Sequence, residues 1–428
     1  MKNKDDEKIG ILIIYFLFIL GYIFSRGFYA FSSLVFLLIV LIITTKYFFR
    51  GKIIFFNNSS LKLVDLQRFV LFLSLFFSLL LYGGIYQEKN YLTVISLFIL
   101  ATLLCLTVFD KNYLKKIVIF FIGFAILGVI MIKTSPLPQI DIFYFLKEGA
   151  WGFVHGQNPY SMIFTRINNY SFYLNGKADF YSYFPGMIFL TLPGVVLLND
   201  PRFSMLLAVL LSAYFIYRKF NQPELSLIFL FNPLSMFILE QSWTESIIIL
   251  LLVLIVYLFS VKRFFMVAII YGLMLATKQY AFLFLPFIWQ MMTGNRKKLV
   301  HSVIICLAIL LPFIFWSWRD FLNDSVLLQF MFPARYDGLT LTSFLFREFN
   351  ISLPWILPFI IWIIAFTLLY FRQHYWTSHR ILLANFIFLY VFLILNKWSF
   401  VNYYYLLSSF LILAIALNER PIGFNNEK

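Results

Sequence analysis

Long apolar runs separated by short polar breaks make up most of the chain. Runs at 9–24, 28–45, 69–83, 91–109, 299–318 and 353–371 approach the roughly 20 residues that cross a bilayer core as a helix. Other runs, at 117–132, 184–198, 203–217, 225–239, 246–260, 264–276, 280–292, 381–395 and 400–417, are mostly shorter, and several contain Pro or Gly. The pattern predicts an all-α polytopic membrane protein with about 12–14 transmembrane helices. Residues 1–116 carry almost no polar side chain in mid-span and read as a scaffold. Residues 117–352 form a second transmembrane module with long polar loops at 133–182 and 319–352. Residues 353–428 supply the last transmembrane helices and a cytoplasmic tail.

Composition agrees, with 62% apolar residues, 21% aromatic and 12% charged, and 56 phenylalanines. The net charge of +15 does not point to nucleic acid, because Lys and Arg sit in small clusters between apolar runs. Positive-inside topology accounts for them. It places Lys2/Lys4/Lys8, Lys46/Arg50/Lys52/Lys62/Arg68, Lys111/Lys115/Lys116, Arg218/Lys219, Lys262/Arg263, Arg296/Lys297/Lys298, Arg372/Arg380 and Arg420/Lys428 in the cytoplasm. One conflict of parity follows: the runs 184–198 and 203–217 lie between an outer residue 182 and an inner Arg218, which demands an odd number of crossings. The run 184–198, with Pro185 and Pro193, is the one expected to be broken or re-entrant. Run 9–24 lacks a small-residue cleavage pattern and reads as half of a retained helical hairpin. Cys105 and Cys306 lie inside apolar runs, so neither a disulfide nor a metal cluster is expected.

The long loop at 133–182 spares polar groups from hydrocarbon and is the first place to look for a site. Phe143, Leu146, Ala150, Trp151 and Val154 recur at helical spacing, an apolar face suited to an amphipathic helix lying in the membrane interface. Asp141, Glu148 and His155 stand seven apart and drift by about 20° per heptad, so they share the other face. Asp141 either caps a helix introduced by Pro138 or heads a polar stripe that lines a cavity. Gly156 and Asn158-Pro159 end that helix. Further polar residues stand where runs turn around: Glu240-Gln241 through Glu245, Lys278-Gln279, and Arg335 with Asp337. Lys278 either snorkels to the interface or meets an anion, and Arg335 either pairs with its neighbour Asp337 or presents a fork to phosphate.

The order Asp141, then Gly156-Gln-Asn-Pro-Tyr160, Tyr181-Ser-Tyr-Phe-Pro-Gly186, Asn232-Pro233 before Glu240-Gln241, and Ala276-Thr-Lys-Gln279 before a run containing Pro286 resembles the C superfamily of integral-membrane glycosyltransferases, in particular its polyprenyl-phosphate-mannose-dependent members. The resemblance covers residues 117–345. It implies a hexosyltransferase, mannosyltransferase-like, that moves a sugar from a polyprenyl-phosphate donor to a glycan or glycolipid acceptor on the outer face of a bacterial cytoplasmic membrane. Asp141 would be the catalytic base, Lys278 and Arg335 would bind the donor phosphate, and Glu148, His155, Asn158, Tyr160, Tyr183, Glu240, Gln241, Glu245 and Gln279 would bind substrate. Ile140 and Ile142 flank Asp141 where relatives often carry a second acid, so no metal is called for, and no other cofactor. A cell-surface polysaccharide polymerase or ligase would place its main outer loop late, and a lipid-linked sugar transporter would show paired repeats or several mid-span charges. Neither pattern is present.

Overall fold

Apolar runs become helices, and the polar breaks between them gather at the two ends of one bundle. The computed structural model describes residues 2–50, 62–109, 116–164, 178–332, 334–354, 356–370 and 377–418. The expected cytoplasmic tail at 419–428 and the middle of the long loop, 165–177, lie outside the described residues. Five long helices come first: α1 (Lys2–Ile23), α2 (Phe31–Arg50), α3 (Leu63–Leu80), α4 (Tyr91–Phe109) and α5 (Ile117–Thr134). Then follow α6 (Asp141–Val154), α7 (Pro185–Leu198), α8 (Arg202–Phe220), the broken pair α9 (Pro223–Leu230) and α10 (Ser235–Glu240), α11 (Glu245–Ser260) and α12 (Phe264–Leu275). A 3-10 turn, Gln279–Phe284, leads into α13 (Leu285–Met291) and α14 (Val300–Trp316). Short pieces α15 (Trp318–Leu322), α16 (Leu328–Met331) and α17 (Leu341–Phe349) precede α18 (Leu357–Tyr370), α19 (Ser378–Leu395) and α20 (Val401–Leu417). No strand occurs among the described residues, only isolated bridges Phe28 to Gly338 and Phe164 to Ala178.

Among the described residues six helices are long and apolar enough to cross a membrane, seven if the bent pair α7–α8 counts as one span. The 12–14 expected from hydropathy are therefore not all full-length spans. Residues 245–260, 264–275, 357–368 and 401–417 form shorter apolar helices. At 1.5 Å per residue, a helix such as α12 falls short of a hydrocarbon core of about 30 Å. Such pieces are tolerated where neighbours cover their ends or where they line a cavity. Burial is uneven: α19 and α20 are enclosed over most of their length, whereas α4 and α14 turn most of their surface outward.

Glu7 marks one end of the bundle. Its carboxylate stands 3.2 Å from His379 and 3.7 Å from Arg380, accepts a hydrogen bond from Asn418, and its carbonyl accepts the Tyr47 hydroxyl. The starts of α1 and α19 thus meet the ends of α2 and α20. At the opposite end the Tyr29 amide donates to Asp337, Glu88 to Thr134, Arg335 to Lys397 and Leu339 to Ser399. These backbone bonds satisfy chain termini that hydrocarbon could not.

The parity conflict resolves at α7. Pro185 occupies its first turn, Asn199 ends it in the left-handed conformation, and the next helix leaves at 114°. The Gly186 amide reaches Ala276 at the end of α12, while Arg202, at the start of α8, reaches Ile132 and Ser135 at the end of α5. Both ends of α7 therefore lie at the same end of the bundle, the placement of a re-entrant piece. A Cβ on Gly186 would stand 2.5 Å from the Ala276 carbonyl oxygen, which explains a glycine there. The corner is locked by the buried Arg202, which pairs with Asp200 at 2.6 Å and lies 5.0 Å over the Phe143 ring of α6.

The interfacial role expected for α6 is corrected by its packing. Phe143, Leu146 and Ala150 are fully buried against α7 and the core, and only Val154 at its far end is widely exposed. The apolar stripe of α6 seats it on protein.

Candidate functional site

A cavity of about 760 Å³ opens at the end of the bundle that holds the long loops. Its walls are mostly apolar, drawn from α12, α14, α19 and α20, and its polar groups come from the breaks between helices. Asp141, Tyr183, Gln241, Lys278, Gln279 and Arg335, six of the residues singled out by sequence, all line it.

Asp141 is the first residue of α6, and its Oδ1 accepts the Ile142 amide at 2.8 Å. Asp141 stands inside the helix, with Ile140 at the cap position, and it lines the cavity. The heptad stripe does not hold. Glu148 and His155 do not line the cavity, because α6 runs away from it for about 20 Å at 1.5 Å per residue. His155 is exposed, with Nδ1 2.8 Å from the Trp151 carbonyl.

Lys278 is held tightly. Its ammonium donates to Glu245 at 2.7 Å and to Thr244 at 3.2 Å, and Tyr183, Tyr280 and Tyr403 surround it at 5.1–5.5 Å. The cost of burying a lysine is offset by that carboxylate and by three ring faces. Snorkelling is excluded, because the residue is buried. Glu245 also accepts the Tyr280 hydroxyl at 3.2 Å and does not itself line the cavity, so it holds Lys278 rather than a substrate. Arg335 makes a two-pronged pair with Asp337, at 3.0 and 2.5 Å, and lies 4.7 Å over the Phe400 ring. The local turn pair is what the chain forms, while the guanidinium still borders the cavity.

Glu240, Asn158 and Tyr160 do not line the cavity and make contacts within the protein. Glu240 accepts the backbone amides of Ile85 at 2.8 Å and Tyr86 at 2.9 Å, and the Gln241 amide at 2.8 Å. It clamps the α3–α4 loop against the cavity wall and lies behind that wall. Gly84 is needed because a Cβ there would fall 1.8 Å from the Glu240 carboxylate. Asn158 caps the Pro159–Ser161 turn through the Tyr160 amide at 3.1 Å. The buried Tyr160 hydroxyl donates to the Tyr183 carbonyl at 2.8 Å, fixing the strip that carries Tyr183. Gln279 bridges the carbonyls of Ser182 at 2.7 Å and Ser325 at 2.6 Å, tying the first long loop to the second.

Sequence reasoning missed Lys397, Trp398, Asn402 and Tyr403, which line the cavity from the α19–α20 break. That break, 396–400, is only five residues between apolar runs, and Lys397 within it is the signal that marks it. Also missed was the segment over one wall, where a π turn at Asn323–Leu327 puts Val326 on the cavity. Asp324 in that turn is buried and accepts the Tyr181 amide at 2.9 Å. Burial pushes its carboxyl up to about 7 although the Tyr181 amide works the other way, and the charges of Asp320 and Asp179 add to the rise. Among the described residues no group of three or more His, Cys, Asp or Glu side chains is placed to hold a metal ion. The chain matches no family model, no curated protein and no solved structure, so its own residues carry the functional argument.

Proposed function

We propose that the protein is a membrane glycosyltransferase that moves a hexose, mannose-like, from a polyprenyl-phosphate donor to a glycan or glycolipid acceptor outside the bacterial cytoplasmic membrane. The observation that carries this reading is one carboxylate, Asp141, on a large apolar-walled cavity that also has Lys278, Arg335 and Lys397 on its lining. An apolar wall suits an isoprenoid chain, cations suit its phosphate, and a carboxylate suits an acceptor hydroxyl.

In the transfer, the acceptor oxygen attacks the anomeric carbon as its proton passes to Asp141. The bond from that carbon to the phosphate oxygen breaks, and the polyprenyl phosphate leaves with the electron pair. Such a leaving group is already anionic, so it needs nearby positive charge more than an acid. Lys278 and Arg335, each balanced by its own carboxylate, form the cationic side of the cavity. Tyr183, Gln241 and Gln279 border the sugar. Direct displacement with one base gives inversion.

The test is Asp141→Asn in the full chain, reconstituted with a polyprenyl-phosphate hexose and an extract of glycolipid acceptors. Transfer should fall by about 10²-fold or more with the thermal midpoint retained, as expected for a general base. Transfer at the wild-type rate would remove Asp141 from the chemistry.

A further inference from the structure

Two of the cavity's cations are balanced by carboxylates, and a third is not. Lys278 stands on Glu245, and Arg335 on Asp337. Lys397 meets no carboxylate among the described residues: its ammonium donates to the carbonyls of Phe332 at 2.6 Å and Phe330 at 3.5 Å, and lies 5.2 Å over the Trp398 ring. Carbonyls and a ring face solvate an ammonium, yet they leave its charge uncancelled. Desolvation holds the Lys397 pKa below the usual lysine range, the direction expected when burial is not answered by an anion. An ammonium on the cavity wall with no carboxylate to answer it is a place for an anionic ligand.

We infer that Lys397 is a further anion-binding residue of the cavity, in addition to the charge-balanced Lys278 and Arg335, and that its ligand is a phosphate oxyanion carried on a lipid. The lipid half of this inference rests on the transferase reading, whereas the oxyanion half stands on the charge balance alone. Lys397 is held by the carbonyls at the end of the single-turn α16, so the bound phosphate would also fix the second long loop against the α19–α20 break.

The test uses the full chain in nanodiscs, titrated with decaprenyl monophosphate, with inorganic phosphate and with phosphatidylglycerol added to the disc, followed by tryptophan fluorescence. Decaprenyl phosphate should bind to the wild type, and Lys397→Gln should weaken it by about tenfold or more, the scale of one charge-assisted hydrogen bond. Lys397→Arg should recover most of the loss. Equal binding by Lys397→Gln and wild type would overturn the assignment, and so would a wild type that binds neither phosphate probe. Inorganic phosphate binding as tightly as the lipid, or phosphatidylglycerol competing equally, would overturn the carrier-lipid half. Should Lys397→Gln not fold, the wild type decides: decaprenyl phosphate should protect Lys397 from acetylation, read by mass spectrometry, and no protection would count against the proposal. Binding at Lys397 without sugar transfer would sink the transferase and leave this site. Transfer with unchanged Lys397→Gln binding would do the reverse.

Discussion

The Lys278–Glu245 pair shows what a buried charge costs a residue and its neighbours. Both side chains are buried, so removing either one strands the other in a poorly solvated place. Glu245→Gln or Lys278→Gln alone should lower stability by about 3–5 kcal/mol. Lys278→Met combined with Glu245→Leu should recover a large part of it, with thermal unfolding in detergent as the measure. A double variant no better than the sum of the singles would mean that the pair is not coupled. Asp324 makes a second residue-scale case. Its folded pKa, about 7, lies above the usual 3.8, so its contribution to stability is complete below the unfolded value and is lost as pH rises through about 7. Hydrogen exchange of residues 318–331 should quicken over that rise, and Asp324→Asn should flatten the change. Asp141, Lys278 and Arg335 were legible from sequence because each interrupts an apolar context at a turn-around point. Their partners were less legible: Glu240 looked like a sugar ligand, yet it serves amides about 155 positions earlier in the chain. Nothing in local spacing reports a contact that distant.

At the scale of elements, breaks and corners set the position of the cavity's polar groups more than the helices do. The α7–α8 corner was legible as a parity conflict, since two prolines and a short run announce a helix that cannot cross. Its lock was not, because Arg202 appears in sequence as one stray cation beside Asp200. Arg202 donates to Asp200, Ser135 and the Ile132 carbonyl while stacking over Phe143, two residues from Asp141. Arg202→Met should therefore loosen α6 and α8 together, costing about 3–5 kcal/mol as the Asp200 carboxylate is left without its cation. The α3–α4 loop gives a cleaner probe. Gly84→Ala drives a methyl into the Glu240 carboxylate and breaks its bonds to the Ile85 and Tyr86 amides. The expected loss is about 2–4 kcal/mol, the scale of charge-assisted hydrogen bonds lost to a backbone clash. Because Ile85 and Tyr86 line the cavity, ligand affinity should fall along with the thermal midpoint. Full stability in Gly84→Ala would show that the loop does not depend on the clamp.

Across the whole molecule, the helical class and the gathering of polar loops at one end were legible from hydropathy and from the clusters of Lys and Arg. The number of full spans was not, because hydropathy reads a short helix shielded by neighbours as readily as one that meets lipid. The structure divides accordingly into α2 to α5, which have the length of a bilayer, and a later part where only α14 and α19 have that length and the shorter helices between them leave room for a cavity. This arrangement makes a topological prediction. Gln157 and Asn199 are both exposed and belong to the cavity end of the bundle, one after α6 and the other after α7. Lys262 and Gly294 belong to the opposite end, where Lys298 lies 5.6 Å over the Phe264 ring. With Cys105 and Cys306 replaced by Ser, single cysteines at 157 and 199 should react with an impermeant maleimide from the same side of sealed vesicles. Cysteines at 262 and 294 should react from the other side. If 157 and 199 labelled from opposite sides, α7 would cross the membrane after all. Asp141 and the start of α8 would then lie on different faces, and no single cavity at one end could hold the polar residues assigned to it.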